Sequence, residues 1–494
     1  MLQGLVLIPA AGGFLSLMLK GNGLRRAILL GTALAHLAMT MLSWQIETGT
    51  EWGGLLRLDG LGQLFLTITS VVFAVCAVYG IGYLAREKPG VHTDFQGDVL
   101  FANAPEARFS ACLLFFLSAM TLVCISWNFG LLWVGIEATT LASAPLIYFH
   151  RHKRSLEATW KYLMLCSVGI AIALLGNIML SFAVGWSGSA AGQAEVSMNL
   201  DALIASAPQA HLAWFKAAFI CILVGYGTKM GLAPMHAWLP DAHSEAPSMV
   251  SALLSALLLN CAFLGILRAF QVADAAGMAA FAGELLVWFG LLSLAIAAAF
   301  IVRQNDYKRM LAYSSVEHMG ILSLGIGIGG GAVFGSMLHA VNHSMAKAML
   351  FMLAGNILAM RKTKNIQKVQ GLLTSSPWTG ALWMFGFLAI VGSPPFGLFV
   401  SEFLILKAAF EGGMFIVAGL ILFFLAVIFT GMVLIVLPMV QGDPGENPRQ
   451  TEPWLSVLPP LVLGIAVALL GLYLPAELRD ILRQAAELIM GKGV

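Results

Sequence analysis

Seven ionisable residues stand in stretches that are otherwise apolar: Glu137, Lys161, Lys229, His318, His343, Lys347 and Glu402. A charge at the centre of a bilayer costs about 2.5–3.5 kcal/mol even on the milder insertion scales, so each is a candidate for pairing, binding or proton transfer. Glu137 lies in Trp133-Val134-Gly135-Ile136-Glu137, with no cation three or four residues away on its own helix. Lys161 begins the next apolar run. Lys229 sits in Thr228-Lys229-Met230-Gly231-Leu232-Ala233-Pro234, where Pro234 removes a backbone donor and breaks the helix. Broken backbone at membrane depth must be buried in protein or line a cavity. An amine held there can exchange its proton and so act as a carrier, not only as a fixed cation. His318 follows in Val316-Glu317-His318-Met319-Gly320. His339, His343 and Lys347 are spaced four residues apart, which places them on one helical face. Glu402 lies just past a second break, Ser393-Pro394-Pro395, and Lys407 follows five residues on.

Carboxylate, amine and imidazole groups in such a line suit the passage of protons. Two other readings compete locally. His339 and His343 can serve as packing histidines or as haem ligands opposite His318, but no further haem signature accompanies them. Lys161, Arg303, Lys308 and Lys407 lie near span ends and can extend their amines or guanidinium to the headgroups. Glu284 reads as an interfacial, structural residue. The sequence calls for no cofactor and no metal: it has no Walker A motif, no dinucleotide fingerprint and no cysteine run for a cluster. The six cysteines fall inside apolar runs and read as small buried residues. With no redox centre of its own, the chain must take any driving reaction from a partner.

The elements that hold these residues follow from composition. Of 494 residues, 59% are hydrophobic and 11% charged, against about 25% charged in soluble proteins. That excludes a soluble enzyme, a disordered chain and a nucleic-acid binder. The net charge of +2 implies no strongly charged partner. A hydrocarbon core of about 30 Å needs about 20 apolar residues per helix. Runs of that kind lie near 2–19, 24–44, 59–85, 108–126, 127–150, 158–184, 213–237, 248–270, 276–302, 306–328, 331–360, 376–412, 413–437 and 453–474. The expected fold is an all-α polytopic membrane protein of about fourteen transmembrane helices. The first run has no basic segment before it and reads as a retained span, not a signal peptide. The tail, 475–494, reads as a short amphipathic helix, a solvated end without a role.

Lys and Arg concentrate in alternate loops: Lys20, Arg25 and Arg26; Arg151, Lys153 and Arg154; Arg303, Lys308 and Arg309; Arg361, Lys362, Lys364 and Lys368. The loop 185–212 carries Glu195 and Asp201 and no basic residue. The positive-inside rule then sets these odd-numbered loops in the cytoplasm and both termini on the outer face of an inner membrane. The polar pattern also recurs. Glu137, Lys161 and Lys229 are followed, at offsets of about 181, 186 and 173 residues, by His318, Lys347 and Glu402. Two five-helix units, each with a proline-broken helix, explain this, and an odd helix count makes them inverted repeats. The expected divisions are a three-helix segment 1–107, repeats 108–270 and 271–437, and a final span with its tail, 438–494.

Five stretches carry a resemblance to a known family: Trp133–Glu137, Thr228–Pro247 (TKMGLAPMHAWLPDAHSEAP), Asp306–Gly320 (DYKRMLAYSSVEHMG), His343–Leu350 (HSMAKAML) and Gly392–Phe403 (GSPPFGLFVSEF). They cover most of spans five to twelve. The chain resembles the antiporter-like membrane subunits of respiratory complex I, of Mrp-type cation/proton antiporters and of membrane-bound hydrogenases. The VEHMG wording and the length look most like the F component of hydrogenase-4-type complexes, with the M-type subunit of complex I next. The resemblance implies that Glu137 pairs with a lysine and that Lys229 serves the first half-channel. It implies that His318, His343 and Lys347 form the centre and that Glu402 ends the second half-channel. Pro234, His236, Asp241 and His243 belong to the long matching stretch, and His339, Pro394, Pro395 and Lys407 support the second half. One position departs: where the family places a relay lysine in span eight, this chain has Asn260, which carries no net proton.

The function expected from these readings is proton translocation by a subunit of a redox-driven complex, hydrogenase-4-type or NADH-quinone oxidoreductase-like. Its partners are other membrane subunits, peripheral redox subunits and protons. The alternative is a Na+/H+ antiporter subunit of Mrp type, with Na+ as the second ion. A third reading, opened by Asn260, is a structural paralogue that helps assemble a membrane arm.

Overall fold

Helices begin where short polar side chains can take up their first free N–H groups. In the computed structural model, Asp59 accepts from Gly62, Asn128 from Gly130 and Leu131, and Asp306 from Lys308 and Arg309. The structure describes residues 1–46, 49–87, 90–93, 100–185, 197–445 and 449–490. Glu195, one of the acids assigned to the loop 185–212, lies outside them.

The N-terminal bundle comprises α1 (Leu2–Met18), α2 (Asn22–Leu42), α3 (Gly60–Arg86) and α4 (Glu106–Ile125). A short hairpin, β1 (Val91–Thr93) with β2 (Leu100–Ala102), joins the last two. Next come α5 (Phe129–Ile147), α6 (Lys153–Gly185), a short α7 (Leu200–Ser206) and α8 (Leu212–Met230). A 3-10 turn, Met235–Trp238, leads to α9 (Leu239–Glu245). The helix α10 (Ser248–Leu253) continues through a π turn, Leu254–Leu258, into α11 (Leu259–Ala275). After it follow α12 (Ala279–Ile301), α13 (Tyr307–Ile328), α14 (Gly331–Arg361), a short α15 (Leu372–Ser375), α16 (Pro377–Ile390) and α17 (Gly397–Glu411). The chain closes with α18 (Phe415–Gln441), α19 (Trp454–Leu472) and α20 (Ala476–Met490).

This is an all-α membrane protein. Among the described residues, ten helices are long and apolar enough to span a bilayer. Each of the fourteen expected runs meets a helix or a broken pair; α1 and α16 are short, and α2 and α13 are diluted by polar residues. The unit α10–α11 is buried along its whole apolar window and stands at the centre, against α3, α8 and α14. By contrast, α18 and α19 bury about a third of theirs and turn Phe415, Ile416, Leu434 and Leu472 outward. Such a surface suits lipid or a neighbouring subunit.

The tail departs from expectation. Helix α20 buries Ile481, Leu482, Ala485, Ala486 and Ile489 and packs on α3, α11 and α14. Gln271 of α11 donates to the Leu488 carbonyl at 2.9 Å. An amphipathic helix with a deep apolar groove beside it gains more by packing than by staying solvated.

The two broken helices are built alike. Helix α8 ends at Gly231, whose φ of +83° only glycine adopts readily, and Pro234 follows three residues on. Helix α16 runs out before Gly392, φ +64°, and Pro395 again follows three residues on. Counted from each proline, Asp241 and Glu402 occupy the same position, seven residues beyond. Lys229 precedes its break, where the second helix carries Ile390. The backbone device therefore recurs, but the pairing of Lys229 with Glu402 gives way to Asp241 with Glu402.

Candidate functional site

Lys229 occupies the last turn of α8 and is fully buried. Its Nζ donates to Thr140 Oγ1 at 2.5 Å and to Tyr162 OH at 2.9 Å. Thr140 Oγ1 in turn donates to Glu137 Oε2 at 3.1 Å, and Ser167 donates to Oε1 at 3.2 Å. The expected Glu137–Lys229 pair thus exists through one hydroxyl, without direct contact. The ammonium also lies 4.9 Å from the Tyr162 ring centroid, within cation–π range. Tyr162 OH and Ser143 Oγ are 2.7 Å apart. Thr140 is three residues past Glu137 and Ser143 three past Thr140, the spacing that makes each a neighbour of the one before on the helix surface.

The broken backbone after Lys229 is satisfied locally, as membrane depth requires. Gly231 N–H donates to Gly227, Leu232 N–H to Gly227, and Ala233 N–H to Ser293 Oγ at 3.0 Å. Trp238 Nε1 donates to Thr228 O at 2.8 Å and ties the 3-10 turn back to α8. Pro234 is exposed at the break, and His236 is half-buried, 6.2 Å from the Tyr313 ring. His243 is buried and stacks on Phe351 at 5.0 Å.

Asn260, at the second residue of α11, joins the two halves. Its Nδ2 donates to Ser344 Oγ at 2.8 Å and to Ala256 O at 2.9 Å, while Oδ1 has no partner among the described residues. Ser344 adjoins His343 on α14.

The second half gathers around α13, α14 and α17. Lys347 Nζ donates to the Leu311 carbonyl at 2.8 Å and interacts electrostatically with the buried Glu317. The His343 ring centroid is 5.0 Å from that of His318. His318 Nδ1 and His339 Nε2 are 3.0 Å apart, and His339 Nδ1 lies 2.9 Å from Ser401 Oγ. Nitrogens of both rings and a carboxylate oxygen of Glu402 lie within 4.8 Å of one another. All these side chains are buried. Gly392 makes room for Glu402: a Cβ there would lie 2.1 Å from Oε2. Pro394 and Pro395 are exposed at the break. The close approach of the two imidazoles suits a proton relay.

Two expected members lie elsewhere. Lys161 is about half exposed and pairs with Glu157 at 2.6 Å and Asp241 at 3.0 Å; Arg309 reaches the other Asp241 oxygen at 2.5 Å. Lys407 is exposed and pairs with Glu411 at 3.6 Å. Both long side chains extend to polar partners, Lys407 along its own helix and Lys161 also across to α9, as lysines near span ends do. Lys308 reverses its expectation: it is buried, and its Nζ donates to Ala246 O at 2.6 Å. It borders a cavity of about 430 Å3 in which Glu245 pairs with Lys364 at 2.8 Å. Glu317, Thr140, Tyr162 and Ser401 are members of the site that the sequence reading passed over. Glu317 had a signal, since it is a carboxylate inside an apolar run; the hydroxyls had none.

A bundle with two broken helices and a buried row of amine, imidazole and carboxylate groups is an antiporter-like membrane subunit. The chain belongs to the NADH:quinone oxidoreductase/Mrp antiporter transmembrane family, whose model matches residues 126–430. It is 37% identical over 429 residues to the hydrogenase-4 component F homolog of Methylacidiphilum infernorum, covering 86% of each chain. Its fold matches a chain of the membrane-bound sulfane sulfur reductase, an archaeal respiratory membrane complex, with a TM-score of 0.87, 22% identity and coverage of 99% and 97%. It also matches a chain of the Mrp complex from Dietzia sp. DQ12-45-1b, with a TM-score of 0.83, 18% identity and the same coverage. These structural neighbours are subunits of multi-subunit membrane complexes.

Proposed function

We propose that this chain is the proton-translocating subunit of a redox-driven membrane complex of hydrogenase-4 or NADH-quinone oxidoreductase type. The observation that carries the reading is Lys229, fully buried beside a helix break and linked to Glu137 through Thr140. A buried amine whose carboxylate partner is one hydroxyl away can gain and lose its proton as that link tightens or opens. Lys347 with Glu317, the histidines and Glu402 supply the second half. Asn260 and Ser344 join the halves as a polar bridge that can hold water.

On this reading the chain crosses an inner membrane fourteen times, with both termini on the outer face. Residues 108–270 and 271–437 are inverted repeats between an N-terminal three-helix segment, 1–107, and a C-terminal span and tail, 438–494. Peripheral redox subunits supply the driving reaction. The likeness to an Mrp complex supports the alternative, a Na+/H+ antiporter subunit.

Inverted vesicles carrying the native complex test this, with a pH-sensitive dye, a redox donor, and Na+ present or absent. Pumping that is independent of Na+ and lost in Lys229→Ala bears the proposal out. Dye recovery driven by Na+ alone moves the reading to the antiporter. Signals unchanged by the substitution remove Lys229 from the path.

A further inference from the structure

Three buried groups of the second half converge on one point. A nitrogen of His318, a nitrogen of His339 and a carboxylate oxygen of Glu402 lie within 4.8 Å of one another. They stand on three helices, α13, α14 and α17, so the packing of the bundle holds the set together. The facing nitrogens, His318 Nδ1 and His339 Nε2, are 3.0 Å apart. Two ligands on a tetrahedral ion with bonds of about 2.0–2.1 Å stand about 3.3 Å apart. The rings therefore already hold nearly the spacing of two ligands on one ion.

Glu402 is a carboxylate without a basic partner. Its Oε1 is buried and makes no hydrogen bond among the described residues. Its electrostatic neighbour is a second carboxylate, Glu317, while Lys347 is engaged with Glu317 and the Leu311 carbonyl. A carboxylate so placed either holds a proton or ligates a cation. Groups behind the set can orient the rings, as they do around ligating histidines. Ser401 Oγ lies 2.9 Å from His339 Nδ1, and the Ile390 backbone meets the His318 ring. Gly392 puts no side chain between the helix break and the carboxylate, and it is itself partly exposed.

We propose that His318, His339 and Glu402 form a binding site for a divalent first-row transition cation of the Zn2+ kind, with a fourth position open to water. Two imidazoles and one carboxylate suit such an ion, whereas Mg2+ and Ca2+ favour oxygen ligands alone. Protons compete for the same nitrogens and carboxylate, so the site weakens as pH falls. A bound ion ties up both imidazoles and Glu402 and closes the second half to protons. That consequence alone rests on the reading of the site as a proton path.

The native complex, stripped with a chelator and dialysed against Zn2+, tests the site. Wild type should retain one Zn2+ more per chain than His339→Gln or Glu402→Gln. X-ray absorption at the zinc edge, with one equivalent of Zn2+ added to wild type, should show two imidazole rings with bonds of about 2.0–2.1 Å. Equal metal content in wild type and both variants overturns the proposal. So does a wild-type spectrum without two imidazoles, which needs no variant to fold. Binding does not depend on transport: Zn2+ held by both rings in vesicles that pump at the metal-free rate would sustain the metal site and refute the proton path through these residues.

Discussion

Lys229 and Glu137 communicate through one hydroxyl: Thr140 Oγ1 accepts from the ammonium at 2.5 Å and donates to the carboxylate at 3.1 Å. A direct ion pair at this depth would hold both charges firmly. A bridged pair lets the amine part with its proton when the bridge moves, which a carrier must do and a structural ion pair must not.

Thr140 is therefore the residue whose loss should uncouple the first half without unfolding it. Hydrogen bonds to charged groups contribute about 1.5–3 kcal/mol. Thr140→Val keeps the volume and removes the bridge, and should slow vesicle acidification by roughly tenfold or more. Thr140→Ser should pump close to the wild-type rate.

Lys161 and Lys229 should separate cleanly. Exposed ion pairs are worth about 0–1 kcal/mol, and the lysine of the Lys161–Asp241 pair is about half exposed. Lys161→Ala should leave the pumping rate near wild type and barely move the melting temperature, whereas Lys229→Ala should abolish pumping. Equal loss in both would place Lys161 on the path.

Gly392 should not tolerate a side chain. Its φ of +64° costs a non-glycine residue about 1–2 kcal/mol, and a Cβ would lie 2.1 Å from Glu402 Oε2. Gly392→Ala should displace the carboxylate, lower the melting temperature and stop pumping. A melting curve and an acidification rate both equal to wild type would show that the break can shift to accommodate it.

The C-terminal helix should depend on a buried ion pair at the floor of the central helix. Arg268 reaches Asp59 with two bonds, at 2.6 and 2.7 Å, and both groups are nearly buried. Removing one partner of such a pair costs about 3–5 kcal/mol. Arg268→Met should destabilise the detergent-solubilised protein strongly, and adding Asp59→Asn should recover part of the loss. Deleting residues 476–490 should also lower the melting temperature, because α20 closes over this region.

Much of this protein is legible in its amino-acid order alone. Apolar runs of bilayer length mark the helices, because only helices and closed barrels satisfy backbone polar groups in lipid and a barrel strand would alternate instead. Gly231 with Pro234, and Gly392 with Pro395, mark the breaks, since those residues act through local backbone chemistry. Glu137, Lys229, His318, His343, Lys347 and Glu402 stand out because lipid makes an idle charge costly there.

Tertiary packing decided what periodicity could not. It carried Lys161 and Lys407 outward and Lys308 inward, although all three sit in similar runs, because a flexible four-carbon stem goes wherever its neighbours offer partners. It recruited Glu317 opposite Lys347 and chose Thr140, Tyr162 and Ser401 from many hydroxyls. A hydroxyl costs little to bury when its own helix satisfies it, so its type and position signal nothing. Only the packing of α6 against both α5 and α8, and of α14 against α17, turns those groups into bridges between charges. Helix identity and the depth of the ionisable groups therefore belong to the sequence. Their connection into a path belongs to the fold.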